Sequence, residues 1–229
     1  MFAVAIDGPA GAGKSSVAKA AALELGFVYV DTGAMYRTVA LYLLEHGIEP
    51  RDAAAVEAAL PGIEVGLEYS PEGQRMSLCG RDVTEKIRTP EVSMATSAAS
   101  AIPAVRDFLF HLQTDMAKRY NVLMDGRDIG TVVLPGAQVK VFLTASPEER
   151  ARRRCHQMEG RGEAADYEAV LQDIRQRDYQ DSHREVAPLK PAPDAVLLDT
   201  SDNTFEESVA QLVRIVREKQ ESAGPLSPD

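Results

Sequence analysis

Cysteine is nearly missing from this chain. Cys79 and Cys155 lie far apart with no C-x-x-C spacing, so a disulfide framework is not expected. The four histidines form no ligand pattern, which makes a structural metal equally unexpected. No apolar run approaches the ~20 residues that span a bilayer, and the start Met1-Phe2-Ala3-Val4-Ala5-Ile6-Asp7 has no basic leader region. The expectation is a soluble, cytoplasmic protein. Positive charge is also scarce: 25 Lys and Arg against 35 Asp and Glu leave a net charge of −10, which argues against nonspecific binding of nucleic acid or an anionic membrane. Any anionic substrate must therefore meet a local basic cluster. At 229 residues and 45% hydrophobic composition the chain can bury a full core, and nothing in it demands a second independent domain.

Against these absences stands one strong motif. Gly8-Pro9-Ala10-Gly11-Ala12-Gly13-Lys14-Ser15 fits G-x-x-x-x-G-K-[ST], with the apolar run Phe2 to Ile6 before it and the helix-forming stretch Val17 to Leu25 after it. Glycines free the backbone N–H groups to wrap a phosphate chain, and the start of the following helix turns its positive dipole end to the same oxygens. Lys14 adds a full charge, and Ser15 supplies the hydroxyl that in such loops ligates Mg²⁺. The motif points to a nucleoside triphosphate and leaves the acceptor open.

Short β-rich runs occur at Val4 to Ile6, Phe27 to Val30, Val122 to Met124, Val139 to Leu143 and Ala195 to Leu198, mostly separated by helical stretches. That alternation implies a parallel sheet with crossover helices. Polar residues follow the runs: Asp7-Gly8, Asp31-Thr32-Gly33, Asp125-Gly126-Arg127-Asp128 and Asp199-Thr200-Ser201. Ligands of open α/β sheets sit at such carboxyl ends. Two stretches break the rhythm. Ile63 to Tyr69 and Arg75 to Cys79 alternate with period two around Ser70-Pro71-Glu72-Gly73, as in an antiparallel hairpin. From Ser146 to Tyr179 the chain is highly charged around Gly160-Arg161-Gly162, the pattern of a helical lid with a mobile turn. Gly224 to Asp229 read as a frayed tail.

Four further segments, Asp31-Thr32-Gly33-Ala34-Met35-Tyr36-Arg37, Ile87-Arg88-Thr89-Pro90, Asp125-Gly126-Arg127-Asp128-Ile129-Gly130-Thr131-Val132-Val133, and Arg177-Asp178 through Arg184-Glu185-Val186-Ala187-Pro188-Leu189, occur in an order that resembles bacterial cytidylate kinases. The likeness runs from Met1 to about Val216 and includes the insertion around Gly80-Arg81-Asp82-Val83-Thr84. It implies an α/β fold: a parallel five-stranded sheet with helices on both faces forming a P-loop kinase core, plus an NMP-binding insertion with a small antiparallel sheet, and a helical lid. The expected core covers about 1–32, 106–149 and 180–219, the NMP-binding region about 33–105 with its insertion at about 61–84, the lid about 150–179 and the tail about 220–229.

The implied reaction is transfer of the ATP γ-phosphoryl group to CMP or dCMP, with Mg²⁺, by a monomer. An acceptor phosphate is already ionised at pH 7 and needs no general base. The task is to hold two polyanions in line and stabilise a spread charge, for which the planar, permanently charged arginine fork is suited. By resemblance, ATP is bound by Gly8 to Ser15 with Ser16, Arg150 and Arg154, and the transfer is assisted by Lys14, Arg127, Arg184 and Arg153. CMP is assigned to Thr32, Tyr36, Arg37, Ser97, Arg106, Asp125, Arg127, Asp128, Arg177, Asp181 and Arg184, and Mg²⁺ to Ser15 with Asp31 or Asp125 through water. Cytosine shows an amino donor beside the acceptors N3 and O2, which a carboxylate and an arginine would read, and the resemblance gives that duty to Ser97, Arg106 and Asp128. Bland alternatives remain at this stage: Arg177 and Asp181 as an i,i+4 ion pair, Arg106 as a partner of Asp107 or Glu91, and the lid arginines as a solvated helix face.

Competing readings are a P-loop kinase with a hydroxyl acceptor, which needs a positioned carboxylate base, a nucleotide switch, and a nucleic-acid-stimulated ATPase. The chain has no N-K-x-D segment for reading guanine, and its acidic balance disfavours the last.

Overall fold

The computed structural model describes residues 1–70 and 73–222, which form two compact units, Met1–Val28 with Tyr120–Asp229, and Tyr29–Arg119. In chain order the elements are β1 (Ala3–Asp7), α1 (Lys14–Leu25), β2 (Val28–Asp31), α2 (Thr32–Glu45), α3 (Ala53–Ala59), β3 (Val65–Ser70), β4 (Gly73–Leu78), β5 (Arg81–Asp82), α4 (Pro90–Ala99) and α5 (Pro103–Arg119). They continue with β6 (Val122–Gly126), β7 (Val139–Thr144), α6 (Pro147–Glu159), α7 (Tyr167–His183), β8 (Val196–Asp199) and α8 (Phe205–Ser222). A five-stranded sheet has the order β2-β6-β1-β7-β8, and a three-stranded one the order β3-β4-β5.

Every residue of β1 and β6 is buried, as central parallel strands covered on both faces must be. Their register pairs Ile6 with Asp125 and Asp7 with Gly126, so both strands deliver their carboxyl ends to the same level. β7 pairs parallel with β1 on the other side, and β8 with β7. Ile6, Leu123, Met124 and Leu143 are among the largest fully buried side chains of this unit. The helices are closed by local chemistry. Gly13 and Gly26 take left-handed backbone at the two ends of α1. Ser146 caps α6 ahead of Pro147, its hydroxyl accepting from Glu149 N.

In the second unit α2 packs on α4 and α5 around Met35, Leu43, Ile87, Val92, Val105 and Leu109. α5, whose residues beyond about 106 the sequence reading gave to the core, lies in this unit, and the chain returns to the first at Tyr120. The hairpin strands shift slightly from expectation, to Val65–Ser70 and Gly73–Leu78, and β5, too short to show a period, joins them. Pro71 and Glu72 of the expected turn, and Gly224 to Asp229 of the expected tail, lie outside the described residues; α8 itself continues through Ser222. Among the described residues no helix is long and apolar enough to cross a membrane.

Candidate active site

The phosphate loop joins the buried end of β1 to α1. Gly8 is dictated by crowding: its φ is +151°, and a Cβ there would lie 1.9 Å from the Leu143 carbonyl oxygen on β7. Gly11 and Gly13 are left-handed at +75° and +86°, and Gly13 sits at the N-cap of α1, the kind of helix start whose N–H groups suit an anion. Lys14 is buried and donates to the Pro9 carbonyl oxygen at 2.7 Å. Burial, then the Arg127 charge, pushes its ammonium down to about 7, against the pull of Asp125, Asp181 and Asp7. The Ser15 hydroxyl donates to Asp125 Oδ2 at 2.7 Å; Ser16 is exposed.

After β6 the chain makes a π-helical turn over Ile129–Val133. The Asp7 carboxylate holds that turn, accepting from Ile129 N through Oδ1 and from Gly130 N through Oδ2, both at 2.7 Å. Burial pushes Asp7 up to about 6, with those two N–H bonds opposing it. Sequence reading noted Asp7 only as a strand end. Its place directly ahead of the glycine loop was the available signal.

The residues between β6 and the turn meet α7 and the segment after it. Arg127 Nε donates to Asp181 Oδ2 at 2.9 Å and its Nη1 to the Gly126 carbonyl at 3.3 Å. Arg184 Nη2 lies 3.8 Å from Asp128 Oδ1, and its Nε donates to the carbonyl of Ala187, itself in left-handed backbone. Asp128 is buried. The structure thus brings Lys14, Ser15, Asp125, Arg127, Asp128, Asp181 and Arg184 into one unit. Arg177 departs from the i,i+4 pairing with Asp181: it bonds backward to Asp173, 3.0 Å away, because Asp181 is taken by Arg127.

The three lid arginines have different surroundings. Arg150 is 2% exposed; it forks onto Asp178 of α7 at 2.9 and 2.5 Å and donates to the carbonyls of Ala145 at 2.9 Å and Ala10 at 3.0 Å. It braces the loop from its carbonyl side. Arg153 bonds Glu149, and its guanidinium donates to Thr200 Oγ1 and O, within 3.9 Å of where a Cβ on Gly13 would be. Arg154 is exposed and bonds Gln157. A solvated face thus describes Arg154 and not Arg150.

In the second unit Asp31 caps α2, its Oδ1 accepting from Ala34 N at 2.9 Å and its Oδ2 from Arg37 Nη2 at 2.8 Å. Thr32 is buried. The Arg106 guanidinium lies 5.7 Å from the centre of the Tyr36 ring and donates to the Ser100 carbonyl. Ser97 is half-buried on α4. Gln74, which no local pattern singled out, bonds the backbone of Asp31.

A phosphate loop between β1 and α1, at the centre of a parallel sheet of order β2-β6-β1-β7-β8, defines the P-loop kinase fold. A solved gluconokinase from Sinorhizobium meliloti 1021 shares that fold with a TM-score of 0.50 at 16% identity, over 97% of this chain and 95% of its own. The cytidylate kinase family model matches residues 4–218, and the chain belongs to that family. It is 53% identical to the cytidylate kinase of Mycolicibacterium paratuberculosis, over 96% of this chain and 97% of the relative, and 47% identical to that of Carboxydothermus hydrogenoformans, over 95% and 98%.

Proposed function

We propose that the protein transfers the γ-phosphoryl group of ATP to CMP or dCMP, giving the diphosphate. Beside family membership, one observation carries the reading: the left-handed glycine loop leads into a buried Lys14, and in the same unit Arg127 is oriented by Asp181. Cations fixed beside a phosphate-binding loop suit a polyanionic ligand. Transfer between phosphates asks for this kind of preorganised positive charge and not for a base.

In this reading the loop from Gly8 to Ser16 holds the triphosphate, with Arg153 beside it. Arg127, Arg184 and Arg37 are assigned to the acceptor phosphate, Asp181 and Arg177 to its sugar side, Asp128, Arg106 and Ser97 to cytosine, and Thr32 and Tyr36 to further CMP contacts. Arg150 acts as a brace. Mg²⁺ fits the hard oxygen donors Ser15 Oγ and Asp125 Oδ2, already 2.7 Å apart. Asp31 is engaged by its cap and Arg37. When bound, the ion would neutralise charge on the transferring phosphates. The enzyme is read as a cytoplasmic monomer serving pyrimidine nucleotide supply, with neither nucleic acid nor membrane as partner.

Steady-state turnover with ATP against CMP, dCMP, UMP, AMP and shikimate tests the proposal. CMP and dCMP should be preferred by kcat/KM. Turnover with shikimate alone, or hydrolysis of ATP indifferent to any monophosphate, would reject it.

A further inference from the structure

Gln74 lies in β4 of the hairpin, 43 residues from Asp31 in sequence. Its Oε1 accepts from Asp31 N at 2.8 Å, and its Nε2 donates to the Asp31 carbonyl at 3.2 Å and to Met76 Sδ at 3.1 Å. One carboxamide thus satisfies both main-chain groups of Asp31, as a neighbouring strand would. The backbone it holds is the N-cap of α2, with φ −84° and ψ 95°. From that backbone the Asp31 carboxylate reaches Ala34 N and Arg37 Nη2. The pair folds back over Gly33, where a Cβ would lie 3.0 Å from Arg37 Nη1 and 3.1 Å from Asp31 Oδ1. A rotation of Asp31 by a few tens of degrees would break the cap and release the guanidinium together.

We propose that Gln74 is a positioning residue for the acceptor: by fixing the main chain of Asp31 it fixes the carboxylate that aims Arg37, so the hairpin takes part in acceptor recognition besides packing. The inference rests on the assignment of Arg37 to the acceptor phosphate. A packing role alone is already met by Met76 and Leu78, both buried, and would need no amide directed at Asp31.

The test uses Gln74→Ala, with Gln74→Met, closer in volume, to separate a lost bond from a cavity, and Arg37→Ala alone and in combination. Gln74→Ala and Gln74→Met should each raise KM for CMP about tenfold, the scale of one or two lost hydrogen bonds, while KM for ATP stays within about twofold. Arg37→Ala should raise it further, about a hundredfold, as for loss of a charged partner, and adding Gln74→Ala to it should change nothing more. Gln74→Glu can still accept from Asp31 N but meets the Asp31 carbonyl with a second acceptor, so it should not rescue. Unchanged CMP kinetics in both Gln74 variants beside an impaired Arg37→Ala would overturn this inference alone. So would a loss shared equally by CMP and ATP with a lowered melting temperature, or Gln74 and Arg37 effects that simply add. An unchanged Arg37→Ala would overturn the assignment beneath it as well.

Discussion

Arg127 is bonded to Asp181 through Nε at 2.9 Å, on the edge of the guanidinium away from its terminal fork. The ion pair therefore sets the plane of the arginine while leaving Nη1 and Nη2 pointed elsewhere, Nη1 with only a long 3.3 Å bond to Gly126 O. A carboxylate used in this way orients a cation and does not consume it.

Loss of that guanidinium fork should affect the chemical step most. Arg127→Lys keeps charge but loses the fork, and kcat should fall ~10³-fold, at the low end of what a transition-state arginine supplies. Asp181→Asn should cost less, about tenfold to a hundredfold, because the arginine survives with a weaker hold. Single-turnover transfer at saturating ATP and CMP checks both; an Asp181 variant worse than the Arg127 one would refute this order.

Asp128 is buried next to Arg184 and is read as the carboxylate facing the cytosine amino group. Asp128→Ala should reduce the kcat/KM ratio of CMP over UMP by about tenfold or more, with KM for ATP near normal. The ratio measured under direct competition decides it, since a loss equal for both acceptors would assign Asp128 to holding Arg184 only.

Lys14 has its folded pKa lowered to about 7, by burial first and Arg127 second. The unfolded chain keeps that lysine protonated to beyond pH 10 or so, so between about 7 and that limit unfolding takes up a proton and the contribution of Lys14 to stability rises with pH. Arriving phosphates reverse the balance and favour the ammonium. ATP binding should then take up protons above pH 7, seen by calorimetry in buffers of differing ionisation enthalpy, and affinity should weaken from pH 7 to 9. Lys14→Met should melt a few degrees higher than the parent at pH 7 in the absence of nucleotide while losing most activity.

Asp7 carries the opposite sign. Its folded pKa is raised to about 6 from the model-peptide value of 3.8, so its favourable contribution is complete below about pH 4 and is lost as pH rises through 6. Asp7→Asn should remove that slope from a stability profile across pH 4 to 6. The variant should still be less stable at pH 7 by about 1–3 kcal/mol, since one amide N–H would face a backbone N–H. Urea unfolding across this pH range provides the measurement.

The glycine loop was legible because its requirements are local: Gly8, Gly11 and Gly13 serve backbone positions within a few residues of one another. The pairings were not. Arg127 with Asp181 spans 54 positions and Arg150 with Asp178 spans 28, so no periodicity links them, and the visible i,i+4 relation of Arg177 to Asp181 lost to a partner from β6's end. Composition made Arg150, Arg153 and Arg154 alike. Only the packing of α6 on α7 separates a buried brace from an exposed charge. Strand ends slipped by about a residue, as at Val196–Asp199, where Asp199 closes the strand although its polarity suggested a loop.

The brace limits how the charged helices can move. Arg150 ties the Ala10 carbonyl, the end of β7 and Asp178 through one buried guanidinium, so the foot of α6, α7 at Asp178 and the phosphate loop share one anchor. A substitution at Arg150 would therefore release the phosphate loop from both helices at once, since the same guanidinium holds the Ala10 carbonyl and Asp178.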